Sequence, residues 1–444
     1  MRFLLVSTHV DQTTGYAKVA HNLLKQLATL TPKVKVFHFG FQRHPSRPNL
    51  RTVPAGVIQY DAAANEDPKE EGFGFNKIHE YIETVTPDVV MIYNDPLIIC
   101  QFIQNMKHEK GVSPYKLWTY VDQVYTGIAP QLVKTINDHS DRIYCFSDIW
   151  KKRYLEYDPT QDVRVLEHAV DATTFTHMTP EQRVSLRKNM NIPENALLLL
   201  NANRNSQRKR LDLTIAGFVR AMSRCPEVPL YLMIVTNLNP QAGAYYDIPR
   251  IYAEELRVAS MDVQTYAGRL LLVDTSPPNA LNDETINNIY NISDIGINTS
   301  DGEGFGLCQL EHLYTGAPQI VTDIGTYRSF LTDDVATFIP PGDRVYFAGG
   351  MPHGGWYPTF RVDDVTTAIE AAVARLPESK KVAASYPFKS WSMVCDEFLE
   401  DVLTLASGPA ASGSLPYSAG TRAEARAARV RRSPGSESSR ERSR

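Results

Sequence analysis

The stretch "SDGEGFGLCQLEHLYTG" at 300–316 places Glu303 in a glycine-rich turn and Glu311 beyond seven intervening residues. The pattern predicts a strand "DIGIN" that ends before the turn and a helix over "FGLCQLEHLYT" that stops at Gly316, with Pro318 just beyond. Backbone N–H groups around Gly304, Phe305 and Gly306 then project from a helix N-terminus and make a cradle for an anion. Glu311, two turns along, can accept hydrogen bonds from vicinal hydroxyls such as those of a ribose. A carboxylate beside an anion cradle suits a ligand that carries hydroxyls and phosphate together, and nucleotide sugars do.

A second constellation, "NANRNSQRKRLDL" at 201–213, follows the apolar run "ALLLL". Arg204 and Lys209 are separated by four residues and flanked by Arg208 and Arg210. Arginine offers a fork of donors and lysine a point charge, a pairing suited to a diphosphate neutralised without a metal. A solvated basic turn is the plain alternative. The position at a strand's carboxyl end, in the same half of the chain as the glutamate motif, favours the ligand. The third element is the loop "STHVDQTTGYAK" at 7–18, with Gly15 at a helix start. Gly15 is either an ordinary helix entry or a place where backbone approaches a phosphate or sugar closely.

Short apolar runs that alternate with amphipathic segments must position these loops. Strands are expected at 3–7, 34–40, 88–93, 116–121 and 142–147, with helices such as 15–27, where Val19, Ala20, Leu23, Leu24 and Leu27 share a face and Thr13 or Thr14 caps the start. The alternation restarts with strands at 196–202, 229–235, 269–273, 294–300 and 318–323. This is the signature of parallel α/β sheets, two of them, and 444 residues at 43% hydrophobic content supply material for two cores. Ligands of such sheets bind beyond the strands' carboxyl ends, so two facing sheets share one cleft. The expected organisation is a first domain over 1–175, a second over 176–389, and a helix over 390–406 that packs back across the first. In that helix Trp391, Val394, Phe398, Val402 and Leu405 recur at helical spacing. Residues 407–444, with eight Arg against three Glu, read as a disordered basic tail.

The net charge of −4 argues against a nucleic-acid-coating protein. Five scattered cysteines without a C-x-x-C pair suggest a reducing cytoplasm, and neither a secretory leader nor a membrane span is expected.

With these pieces assembled, the chain resembles a retaining glycosyltransferase of the GT-B fold, family four. The matching segments are "DGEGFGLCQLEHLYTGAPQIVTDIGTYRSFL" (301–331) as the E-x7-E region, "NRNSQRKRL" (203–211) as R-x4-K, and "VLEHAVDATTF" (165–175) as the interdomain strand and turn. They cover the second half well and the first loosely. The segment "NRNSQRKR" is also similar to enzymes encoded by large algal DNA viruses. The resemblance implies that Arg204 and Lys209 bind the donor diphosphate and stabilise charge during transfer. It implies that Glu311 binds the ribose, and that Glu303 with the amides of Phe305, Gly306 and Leu307 holds the sugar and distal phosphate. Val273 is implied beside the base. Where the family often has a histidine beside the donor sugar, "LWTYVDQVY" (117–125) carries Asp122, which either takes over that contact or marks a misalignment; His9, His21 and His168 are the alternatives. GDP-mannose is the implied donor, with a UDP-sugar as the other possibility, and the acceptor is a glycan or other hydroxyl compound. No cofactor or metal is implied.

A nicotinamide dehydrogenase would need G-x-G-x-x-G after the first strand, and Leu307 stands where "GEGFGL" would need its last glycine. Asp-x-Asp, Walker A and H-E-x-x-H motifs are absent. A nucleotide-sugar epimerase or a non-catalytic sugar-nucleotide-binding protein on the same fold remains open.

Overall fold

Runs such as Phe3–Val6 and Val89–Tyr93 are buried on both faces, as strands inside a helix-covered parallel sheet must be. The computed structural model describes residues 1–43, 50–66, 70–125, 127–347 and 355–407. Among these, β1 (Arg2–Thr8), β2 (Lys35–Phe41), β3 (Val57–Asp61), β4 (Val89–Asn94), β5 (Lys116–Val121), β6 (Arg142–Cys145) and β7 (Val163–Val165) form one sheet. Its order is β3-β2-β1-β4-β5-β6-β7, and every pairing is parallel. A second parallel sheet follows from β8 (Leu197–Asn201), β9 (Leu230–Thr236), β10 (Leu270–Asp274), β11 (Ile295–Asn298), β12 (Gln319–Thr322) and β13 (Ala336–Ile339), in the order β10-β9-β8-β11-β12-β13.

Both orders reverse direction beside the sheet's first strand, between β1 and β4 and between β8 and β11. Loops leaving neighbouring strands at such a point diverge to opposite faces and open a crevice. The loops after β1, β8 and β11 are the three that carry Gly15, Lys209 and Glu303.

The helix Gly15–Ala28 starts where Thr14 Oγ1 accepts the Ala17 amide at 3.3 Å, and it buries Val19, Ala20, Leu23, Leu24 and Leu27. The last described helix, Trp391–Ser407, lies against the first sheet. The Phe398 ring meets Phe3, Trp118 and Tyr144 at 6.1, 6.2 and 5.5 Å. Asp401 accepts a hydrogen bond from the Tyr144 hydroxyl and forms an ion pair with Arg142, each at 2.9 Å, while Leu405 stays exposed.

The Gly/Pro-rich segment 340–360 contains an antiparallel pair, β14 (Arg344–Phe347) and β15 (Gly355–Pro358). Its Tyr357 ring lies 4.7 Å from Tyr125, on the loop that follows β5, so the hairpin touches the first half's cleft rim. Residues 348–354 and 408–444, the latter nearly all of the expected basic tail, lie outside the described residues. Among the described residues no helix is long and apolar enough to cross a membrane.

Candidate functional site

The loop after β8 folds into a tight turn, Gln207–Lys209, before the helix Leu211–Arg224. It is stitched to the loop after β11. Asp301 N–H donates to the Arg208 carbonyl at 3.0 Å, and Thr299 Oγ1 donates to the Arg210 carbonyl at 2.7 Å. This stitching turns Lys209 inward, where its ammonium donates to Glu303 Oε1 and, at 2.9 Å, to Asn203 Oδ1. Arg208 adds a contact of 3.3 Å to Glu303 Oε2 and donates to the Gly302 carbonyl. Asn298 at the end of β11 and Ser300 complete the shell around Glu303 at 3.2 and 3.1 Å. Burial opposes the Glu303 charge, but Lys209 and Arg208 outweigh it and hold the carboxyl at about 2.

Past Glu303 the chain turns sharply. Gly306 has φ +102°, and a Cβ there would lie 2.5 Å from the Tyr327 ring, so only glycine fits. The Gly304 carbonyl is held by Thr326 Oγ1 at 3.0 Å and Trp150 Nε1 at 3.4 Å, which turns the Phe305 N–H the opposite way. Among the described residues, no N–H from Gly304 to Cys308 donates to a protein acceptor. The start of the helix Leu307–Tyr314 thus presents a row of backbone donors without protein acceptors. The Phe305 side chain is core, stacked on Phe330 at 4.8 Å, so it can serve a ligand only through its amide.

From the first half, Asp122 follows β5 and abuts this turn, because a Cβ on Gly304 would run into its Oδ1. Burial first, then the charges of Asp95 and Glu303, raise the Asp122 pKa to about 7 against the pull of Arg208. Asp122 can therefore donate or accept a hydrogen bond near neutrality. Gly15 also meets the second half, since a Cβ there would lie 3.6 Å from Leu307 Cδ1; this is ordinary contact and leaves room for a side chain.

Arg204 stands on the exposed side of its loop, where its charge reaches the Tyr16 hydroxyl of the first half. Arg208, one of the two flanking arginines, brings its guanidinium beside Lys209. Glu311 is 1% exposed and turned toward the first half. Lys18 Nζ bridges both its oxygens at 2.7 and 2.9 Å, and the Tyr290 hydroxyl donates to Oε2 at 3.3 Å. Lys18 reaches Asp283 at 3.5 Å, and Arg51 grips the same Asp283 in a fork of 2.8 and 2.7 Å. Lys18, Arg51 and Asp283 line a cavity of about 350 Å3 between the halves, to which His21 and Phe175 also contribute. Sequence spacing offered no signal for Lys18, Arg51 or Asp283.

Val273 is half-buried in β10, its side chain packed against the core. His9 is buried 6.1 Å from His38, and burial lowers its pKa. His168 is enclosed by Phe146 and Phe305, each at 4.9 Å, and burial brings it to about 3.

No protein-family model matches the chain. Over 219 residues it is 26% identical to the D-inositol 3-phosphate glycosyltransferase of Kribbella flavida, a match covering 49% of this chain and 44% of that protein. The chain therefore spans less than half the length of that curated relative. A glycosyltransferase from Rickettsia africae superposes with a TM-score of 0.64 at 16% identity, covering 92% of this chain and 99% of the other. Anabaena HepE in complex with UDP and glucose superposes with a TM-score of 0.61 at 11% identity, covering 91% and 100%. At these identities the likeness concerns architecture, and that architecture is GT-B: two Rossmann-like parallel-sheet domains.

Proposed function

We propose that the chain is a retaining glycosyltransferase of family four that moves a hexosyl group from a nucleotide-diphosphate sugar to a hydroxyl of a glycan or glycoconjugate. The observation that carries this reading is the pairing of Lys209 and Arg208 on Glu303, beside a row of amide donors and opposite Asp122. A diphosphate leaving group develops charge as its bond to the anomeric carbon breaks. Fixed cations and amides aimed at it stabilise that charge without reorganising. In the front-face mechanism the acceptor oxygen attacks from the side of departure, the new C–O bond forms there, and the acceptor proton passes to the leaving phosphate oxygen.

In this scheme Lys209, Arg204 and Arg208 neutralise the diphosphate in place of a metal, and the amides of Gly304, Phe305, Gly306 and Leu307 bind its distal phosphate. Glu303 orients the sugar and spaces the cations, Asp122 contacts a sugar hydroxyl, and Glu311 accepts from the ribose. The backbone at Gly15 approaches the phosphates from the first half, and the backbone at Val273 meets the base. Residues 1–175, completed by the helix over 390–406, form the acceptor side and 176–389 the donor side. Five free thiols fit a reducing cytoplasm, the host's if the chain is viral.

The proposed donor is GDP-mannose, on the resemblance to enzymes of large algal DNA viruses. A UDP-hexose is the second reading, favoured by the structural neighbour that holds UDP and glucose. Thermal melting of the purified chain with GDP, UDP, ADP and their sugar conjugates, with and without a divalent cation, decides between them. One nucleotide at about 100 times its Kd should add about 2.7 kcal/mol of stability without metal. No shift with any nucleotide at millimolar concentration would overturn the assignment, and epimerised sugar formed without acceptor would reassign the chain as an epimerase.

A further inference from the structure

We infer that Lys18 is a positioning residue for the donor ribose, which holds the Glu311 carboxylate charged and aimed from the opposite wall of the cleft. This rests on the donor site proposed above. Glu311 is almost fully buried, and a buried carboxylate is driven to its neutral form unless a counter-charge faces it. Burial raises the Glu311 pKa, and Lys18 pulls against it from the helix Gly15–Ala28, one turn past Gly15, by bridging both carboxylate oxygens.

The two oxygens offer about four lone-pair positions. Lys18 takes one on each and the Tyr290 hydroxyl takes another on Oε2. One position is left, enough to accept a single ribose hydroxyl, and the Lys18 contacts fix which way it faces. Lys18 is itself constrained. Its ammonium stands 4.7 Å from the centre of the Phe175 ring and 3.5 Å from Asp283, and its side chain is 17% exposed.

The rival role is a plain brace between the halves. Arg51 and Asp283 already brace the same two walls with a two-pronged ion pair. The two roles predict different ligand dependence. Loss of a brace weakens every ligand of the cleft alike, whereas loss of a positioning cation weakens only the contribution of the ribose hydroxyls.

The experiment is calorimetric titration of the full chain and its Lys18→Met and Lys18→Arg variants with GDP and UDP, each beside its 2′,3′-dideoxy form. Circular dichroism melts confirm that the variants fold. A hydrogen bond to a charged group sets the expected scale, so the natural chain should prefer the ribose form by about 10- to 100-fold. In Lys18→Met the preference should collapse to about twofold or less, while the dideoxy forms keep their affinity; Lys18→Arg should restore most of it. An unchanged preference in Lys18→Met, or an equal loss for both forms, overturns the inference and leaves the donor site standing. If neither nucleotide binds the natural chain at millimolar concentration, the donor site and the inference fall together.

Discussion

Lys209 and Glu303 illustrate how a single buried pair can serve both folding and chemistry. Each side chain is about a tenth exposed, so either one alone would be an uncompensated charge in a poor solvent. Removing one partner of such a pair typically costs about 3–5 kcal/mol, whereas replacing both with neutral groups is far milder. Lys209→Met should accordingly lower the urea-unfolding free energy by that order, and Lys209→Met with Glu303→Gln should recover most of it while donor consumption stays about 10²- to 10³-fold down in kcat. A double variant with normal turnover would remove Lys209 from the charge-stabilising set. Asp122 gives a pH-dependent counterpart. Its folded pKa, about 7, lies above its ordinary value of 3.8, so the folded chain holds that proton more tightly than the unfolded one. Its contribution to stability is therefore lost as pH rises from about 4 to about 7 and is flat above that. The decline in unfolding free energy between pH 5 and 8 should be shallower in Asp122→Asn than in the natural chain, and any inflection of kcat/KM near pH 7 should disappear with it.

At the scale of elements, the turn between β11 and its helix carries the tightest demands. A side chain at Gly306 meets both a left-handed φ and the Tyr327 ring, so Gly306→Ala should destabilise the chain by at least about 1 kcal/mol in thermal melts. Gly304→Ala tests a different quantity, because its Cβ collides with Asp122 across the cleft. It should raise the donor KM through a widened gap, with only a small change in melting temperature. The central strands were legible because burial on both faces leaves unbroken apolar runs, as in β1, β4 and β8. The strand β3 escaped because its residues, Val57–Asp61, are only partly buried and show no clean period. Short β13 and the hairpin partners β14 and β15 escaped for similar reasons. At the site, Glu303, Lys209 and the Gly306 turn could be read from their place at strand ends. That Arg208 turns in beside Glu303 depends on the tight turn at Gln207–Lys209 and its stitching to Thr299 and Asp301, which linear spacing does not express. Lys18 and Glu311 are 293 positions apart, and only the closed arrangement of two sheets brings them together.

For the whole molecule, the terminal helix matters most. Phe398 is 2% exposed against three aromatic rings of the first sheet, and truncation of such a side chain typically costs about 3–5 kcal/mol. Phe398→Ala should show that loss in denaturant unfolding, and if the two sheets unfold separately the early transition should be the one that shifts. The described residues thus begin and end on the same sheet, with the second sheet inserted between. On a ribosome adding roughly 5–20 residues per second, the stretch from Val165 to Trp391 takes on the order of 10–45 s to emerge. Throughout that interval Phe3, Trp118 and Tyr144 wait without the helix that covers them. The half made first is the last to be finished, so nascent chains should depend on holdase chaperones through their N-terminal half until synthesis has passed Val402.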